Sequence, residues 1–129
     1  MKTLLIALVI GAVQTTGPGP MNAGENWMGR YTCAQGTTDL DLRIDAVTGN
    51  TIDATFIFAH GPSGAAGSYK MRGNLMPDGT LSLAPGAWVA RPANYGSVGM
   101  TGVVRGANYS GRIDNPSCST FNLTREAHP

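Results

Sequence analysis

Apolar and polar residues alternate with a period of two along most of this chain. Leu40, Leu42, Ile44 and Ala46 alternate with Asp41, Arg43 and Asp45; Ile52, Ala54, Phe56 and Phe58 alternate with Thr51, Asp53, Thr55 and Ile57. That period is the signature of half-buried strands, and Thr48-Gly49-Asn50 between the two predicts a hairpin turn. Tyr69, Met71 and Gly73 continue the pattern, and Pro77-Asp78-Gly79-Thr80 is a tight turn. Leu81 and Leu83 predict a strand ended by Pro85-Gly86, with residues 87–95 as a longer connection. Val98, Met100, Gly102 and Val104 form the next strand; after Gly106-Ala107-Asn108 the chain returns through Tyr109, Gly111 and Ile113. Asp114-Asn115-Pro116-Ser117 turns into a last strand running from Cys118 to Arg125, and Trp27, Gly29, Tyr31 and Cys33 share one face of a first strand. Residues 60–67 carry Pro62 and three glycines and are predicted as a loop. The predicted fold class is all-β: a single small antiparallel meander of about eight strands closed into a barrel, with a flattened sandwich as the alternative. Glycines inside strands fit sharp coiling at barrel corners.

Two cysteines, Cys33 and Cys118, bracket nearly all of this pattern. Paired, they would tie the first strand to the last and seal a barrel's seam; two free thiols are the alternative. Cys118 is out of phase with Phe121 and Leu123, so the pairing requires either a bulge or a cysteine just outside the strand. Ahead of both lies Lys2, then an unbroken apolar run over residues 4–13, then a polar Gly- and Pro-rich stretch to Pro20. That order reads as a secretory signal, and export agrees with a disulfide, which persists in oxidising compartments. Residues 1–20 are assigned to a signal peptide or N-terminal anchor with its linker, and residues 21–129 to one β-barrel domain. Cleavage near Thr15-Thr16-Gly17 and cleavage near Met21-Asn22-Ala23 both remain open. The expected location is secreted or periplasmic, with membrane contact only through an uncleaved leader.

Charge narrows the partners. Nine Lys and Arg stand against eight Asp and Glu, and Lys2 leaves with the leader, so the mature part is neutral. A nucleic-acid partner is excluded on this balance, since no basic stripe exists to neutralise phosphates. Asp39, Asp41, Asp45 and Asp53 fall on polar phases or near strand ends, where they would balance Arg43, Arg72 and Arg112 on the outer face.

Little in the residue inventory supports catalysis. His60 and His128 are the only histidines, too few for a metal site that needs three or four convergent ligands. Ser63, His60 and an aspartate could make a triad on paper, but Gly61-Pro62-Ser63-Gly64 lacks the strand-to-helix elbow of a hydrolase nucleophile. A turn capped by the serine hydroxyl is the simpler reading. The expectation is no enzyme activity, no cofactor and no metal. Two segments are candidate binding surfaces. Residues 61–69 present small residues that let a partner approach closely, with Ser63, Gly64 and Tyr69 as candidates. Residues 88–95 carry Trp88, Arg91 and Tyr95, residue types that anchor binding hot spots, although Trp88 and Tyr95 could equally plug the barrel as core. Phe56, Phe58, Met71 and Met100 would either fill the barrel or line a cavity for a carried ligand. Asn108-Tyr109-Ser110 and Asn122-Leu123-Thr124 match the N-glycosylation pattern, which matters only in a eukaryotic secretory route.

The skeleton Trp27-x-Gly29-x-Tyr31-Thr32-Cys33-x-Gln35-Gly36, with Pro62-Ser63-Gly64 before Ser68-Tyr69, then Trp88, Pro92, Tyr95, Val98-Gly99 and a late Cys118, Phe121 and Leu123, resembles small exported bacterial domains. Such domains occur alone or appended to signalling or peptidase-like proteins. This resemblance implies a module that folds alone, and no reaction. Tyr31-x-Cys33, Ser63-Gly64, Tyr69 and Cys118 also resemble the membrane-bound inhibitor of C-type lysozyme, a family of small periplasmic β-barrels. That second resemblance implies a Ser-Gly loop entering a lysozyme cleft. Here three extra residues separate Gly64 from Tyr69, and the chain is longer after the loop. The function expected is a non-catalytic binding module for a protein or cell-envelope ligand. Its alternatives are an inhibitor of a lysozyme-type hydrolase and a carrier of a small apolar ligand or glycan.

Overall fold

The computed structural model describes residues 19–126; of the predicted leader and linker, residues 1–18, with the apolar run over residues 4–13, lie outside them, and only Gly19 and Pro20 lie within. Eight strands follow one another: β1 (Asn26–Cys33), β2 (Gly36–Thr48), β3 (Thr51–His60), β4 (Ala65–Leu75), β5 (Thr80–Ala90), β6 (Gly99–Arg105), β7 (Asn108–Asp114) and β8 (Thr120–Arg125). Each pairs antiparallel with the next, and β8 returns to β1 through Trp27↔Arg125 to Tyr31↔Phe121, so the sheet closes into a barrel. Closure removes the exposed edges that an open sheet would have to protect. Among the described residues no helix is long and apolar enough to cross a membrane.

The alternation directs one set of side chains inward. Leu40, Leu42 and Ile44 on β2 meet Phe58, Phe56 and Ala54 on β3 in register, and all six are buried. Phe56, Phe58, Met71 and Met100 pack within the same buried cluster, so these side chains fill the barrel. Gly102 and Gly111 stand directly opposite each other on β6 and β7. A Cβ on Gly111 would overlap the Thr101 and Gly102 backbone, while the Phe121 ring lies against Gly102 and fills the space that two missing side chains leave. The outer face carries the charges: Asp39 pairs with Arg30, Asp45 with Arg43 and Lys70, and Asp53 with Arg72 through two nitrogens. At Asp45 a register shift between Ile44 and Ala46 interrupts the β2–β3 ladder, which takes Ala46 off the buried phase predicted for it.

Three expected boundaries are corrected. The turn between β3 and β4 covers only residues 61–64, and Ala65, Ala66 and Gly67 already pair with His60, Ala59 and Phe58. Gly67 serves close approach rather than a loop, since a Cβ there would press on the Ala90 carbonyl, Pro92 and the Phe58 ring. Strand β5 runs through Pro85 and Gly86 to Ala90. Its pairing with β6 ends at Leu83↔Met100, so beyond that point it is an edge held only by β4. An edge tolerates a proline, whose missing N–H would break a ladder on a central strand. Strand β8 begins at Thr120, and Cys118 lies just before it, which removes the parity conflict. Cys33 and Cys118 are bonded, joining the end of β1 to the approach to β8.

The two ends of the barrel differ. At the base, the segment from Gly19 to Glu25 crosses beneath the strands. Met21 is 2% exposed inside the core. Asn22 Nδ2 donates to Gly19 O and Glu25 Oε2, and Gly24 N donates to Ile44 O. The other end, the mouth, gathers residues 34–35, 61–64, 91–98 and 115–119 around the disulfide.

Candidate functional site

Closing the barrel at its mouth needs a substitute for the pairing that β5 gives up after Leu83. Tyr69 supplies it. Its side chain, on the inward phase of β4 and 1% exposed, crosses the interior to Val98 just before β6. The phenol donates to Val98 O at 2.9 Å and accepts from Val98 N at 2.9 Å, as a neighbouring strand would. Burial raises the Tyr69 phenol well above its ordinary pKa; the Val98 hydrogen bond opposes this and the nearby Tyr31 adds to it, so the group stays a neutral donor. Tyr69 is thus a structural pin beneath the mouth and lies on β4, as its phase with Met71 predicts, rather than in the turn before it.

Around that pin the aromatic residues converge. Phe58 stacks on Tyr95 with ring centroids 5.4 Å apart and meets Trp88 edge-on at 6.3 Å, while Tyr69 meets Trp88 at 4.9 Å. Trp88 lies on β5 rather than in a loop, half-buried, with the Arg91 guanidinium 5.4 Å from its ring centre. Arg91 Nε donates to Tyr95 O at 2.9 Å and so folds residues 91–95 back on themselves. Asn94 carries a φ of 66°, the left-handed conformation that Asn adopts more readily than most residues. The structure therefore brings Tyr69, Trp88, Arg91 and Tyr95 together around Phe58.

Ser63 and Gly64 stand apart from that cluster, exposed at the tip of the β3–β4 turn. Ser63 Oγ lies 2.7 Å from His60 Nδ1 and accepts from Ala65 N at 3.2 Å. Gly64, at φ 72°, completes the turn with its N–H donating to His60 O. His60 is 6% exposed, and among the described residues no carboxylate hydrogen-bonds to it. A triad needs its base oriented by a third group; here serine and histidine lock a four-residue turn.

Between residues 34–35, 94–98 and 115–118 the mouth opens into a cavity of about 360 Å³. Buried Tyr31, Phe58 and Tyr69 make its floor, and exposed Gln35, Asn94, Asn115 and Ser117 its rim. Among the described residues no charged side chain lines it. Burial raises the Tyr31 phenol far above its ordinary value, with Thr38 opposing by a hydrogen bond and Tyr95 adding to it, so the floor is uncharged as well. Gln35 Nε2 donates to Thr38 Oγ1, and Asn115 Oδ1 accepts from Ser117 N and Ser117 Oγ. The disulfide forms part of the wall. Sequence reasoning missed Gln35, Asn94, Asn115 and Ser117, which are ordinary turn residues brought together only by closure of the sheet. Among the described residues no three His, Cys, Asp or Glu side chains gather as a metal site would require. Compared with known proteins, the chain matches no protein family, no characterised protein and no solved structure.

Proposed function

We propose that the protein is an exported, non-catalytic binding module whose ligand meets the disulfide-closed mouth. One observation carries the reading: the cavity at the mouth is floored by aromatic rings, rimmed by amides that keep hydrogen-bonding capacity to spare, and lined by no charged side chain among the described residues. Binding sites combine largely apolar walls with a few placed polar groups, and this is the part of the barrel that does so. The interior is filled by its own side chains, which turns the reading away from a ligand carried within the barrel. The Ser63–His60 contact acts within its own turn, so no reaction is assigned to it. Export follows from the apolar leader together with the disulfide, and the location is secreted or periplasmic. The test is a map of amide resonances in the oxidised protein as soluble cell-envelope extract is added. Shifts concentrated at residues 31–35, 94–98 and 115–118 are expected. Shifts at the base around Met21 alone, or none, would overturn the reading.

A second reading is an inhibitor of a lysozyme-type hydrolase. It is favoured by the exposed Ser63-Gly64 tip, held rigid by His60 at the same end as the mouth. Stoichiometric inhibition in a cell-wall lysis assay, lost in a folded Ser63→Ala, Gly64→Asp variant, is its expected result. No inhibition by the folded protein would remove it.

A further inference from the structure

We infer that the mouth takes a neutral saccharide of one or two rings. This rests on the mouth-binding reading and names its ligand. Three features of the cavity point the same way.

The first is charge. Among the described residues neither cation nor anion lines the cavity, and its buried phenols are held in the neutral form. Arg91, three residues before Asn94, is turned to Trp88 and to the Tyr95 carbonyl, while Arg30 and Lys70, next in the chain to Tyr31 and Tyr69, pair with Asp39 and Asp45 on the outer face. A charged ligand would be desolvated here without a counter-charge, which is unfavourable.

The second is unused hydrogen-bonding capacity of both kinds. Asn115 uses only its Oδ1, leaving the Nδ2 donors open. Gln35 uses Nε2 on Thr38, leaving Oε1 to accept. The Asn94 amide makes no hydrogen bond among the described residues and offers both. A hydroxyl both donates and accepts, so a polyol can satisfy such a mixed rim. A purely apolar ligand would cover these amides and leave them unpaired, at about 1–3 kcal/mol for each group so buried.

The third is the ring of Tyr95. One face stacks on Phe58, yet the residue remains half-buried and lines the cavity. An aromatic surface beside polar groups suits a pyranose, whose one side is C–H and whose edge is hydroxyl. The platform is also pre-formed. Arg91 holds the Tyr95 carbonyl, and Tyr69 holds both backbone groups of Val98, so little ordering is left for the ligand to impose. The volume, about 360 Å³, lies at the small end of ligand sites.

The test titrates the oxidised, isotope-labelled protein with maltose, cellobiose and N,N′-diacetylchitobiose, each to about 10 mM, which reaches dissociation constants in the millimolar range. A uronic-acid disaccharide and decanoate are the charged and apolar comparisons. At least one neutral sugar is expected to shift the backbone resonances of residues 94–97 and the side-chain amides of Asn94 and Asn115. Tyr95→Ala should weaken that binding at least tenfold. Asn94→Gly keeps the left-handed backbone and removes only the amide; it should weaken binding about fivefold, the worth of one hydrogen bond. If all three neutral sugars leave the mouth unmoved, or the acid or decanoate binds there more tightly, the saccharide inference is overturned. Envelope extract that still moves the mouth resonances would then leave the binding reading standing. A mouth that responds to nothing would end both.

Discussion

Replacing Tyr69 by Phe removes one oxygen atom and, on this geometry, two hydrogen bonds. The phenol donates to Val98 O and accepts from Val98 N, both at 2.9 Å. Phe retains the ring, which stacks on Phe56 at 4.7 Å and meets Trp88 at 4.9 Å, so packing is nearly conserved. The loss is therefore polar. Each hydrogen bond contributes about 1 kcal/mol net, and leaving the backbone partners unpaired raises the cost. Val98 is only half-buried, so water can recover part of it. The expected destabilisation is about 2 kcal/mol, or a Tm lower by roughly 9 °C for a domain of this size. Urea unfolding should show a lower midpoint with an unchanged slope. Hydrogen exchange adds a local readout, because the Val98 amide should lose its protection in the variant. Were stability to change by less than about 0.5 kcal/mol, with Val98 still protected, the pin would not exist as described.

Further predictions concern the rest of the barrel. Changing both cysteines to Ala removes a bridge across 85 residues of chain, and should lower stability by roughly 4 to 5 kcal/mol in the chain-entropy account, read by calorimetry. Met21→Ala should cost about 2–4 kcal/mol by emptying the base of the core, since the side chain is 2% exposed; a loss below about 1 kcal/mol would mean that the Gly19–Glu25 segment is not part of the fold. Gly111→Ala forces a methyl into the Gly102 backbone and should cost more than about 3 kcal/mol or abolish folding, seen in soluble yield and in the thermal transition. Burial pushes the Asp45 carboxyl up, but hydrogen bonds from Thr55 and Arg43 and the charge of Lys70 outweigh it, and the net pKa is lowered. A carboxyl depressed on folding stabilises above its unfolded value, about 3.9, and that contribution is lost as pH falls through the lower folded value. Asp45→Asn should therefore flatten the decline in stability below about pH 4; an unchanged acid limb would refute the assignment.

The barrel itself was legible because closure repeats one local rule. Most of the strands alternate over much of their length, and tight turns such as Pro77-Asp78-Gly79-Thr80 sit where hairpins need them. Tyr69 carried two readings at once, as a strand residue in phase with Met71 and as part of a binding loop. The phase was the better guide, because a single inward position fixes a side chain more firmly than the composition of its neighbourhood. Pro85 misled for the opposite reason. Proline ends a strand only where its missing N–H is needed, and that depends on whether β6 is still alongside, a distant pairing invisible in the local sequence. The mouth was least legible. Trp88, Arg91 and Tyr95 stood out by residue type. Gln35, Asn94 and Asn115 come from three separate connections and line one cavity only when β1 meets β8.

The Gly19–Glu25 segment has a geometric corollary for how the barrel is mounted. Gly19 and Arg125 border the same groove at the base, and Glu126 N donates to Asn26 O beside it. Both described ends of the chain thus depart from the face opposite the disulfide. A ten-residue strand such as β3 tilted in a barrel wall rises roughly 25 Å. An anchor, a fused reporter or a sensor surface joined directly at Gly19 or at Glu126 would hold the mouth outward at about that height. Tethering through either of these two positions should therefore leave the mouth equally accessible from solution.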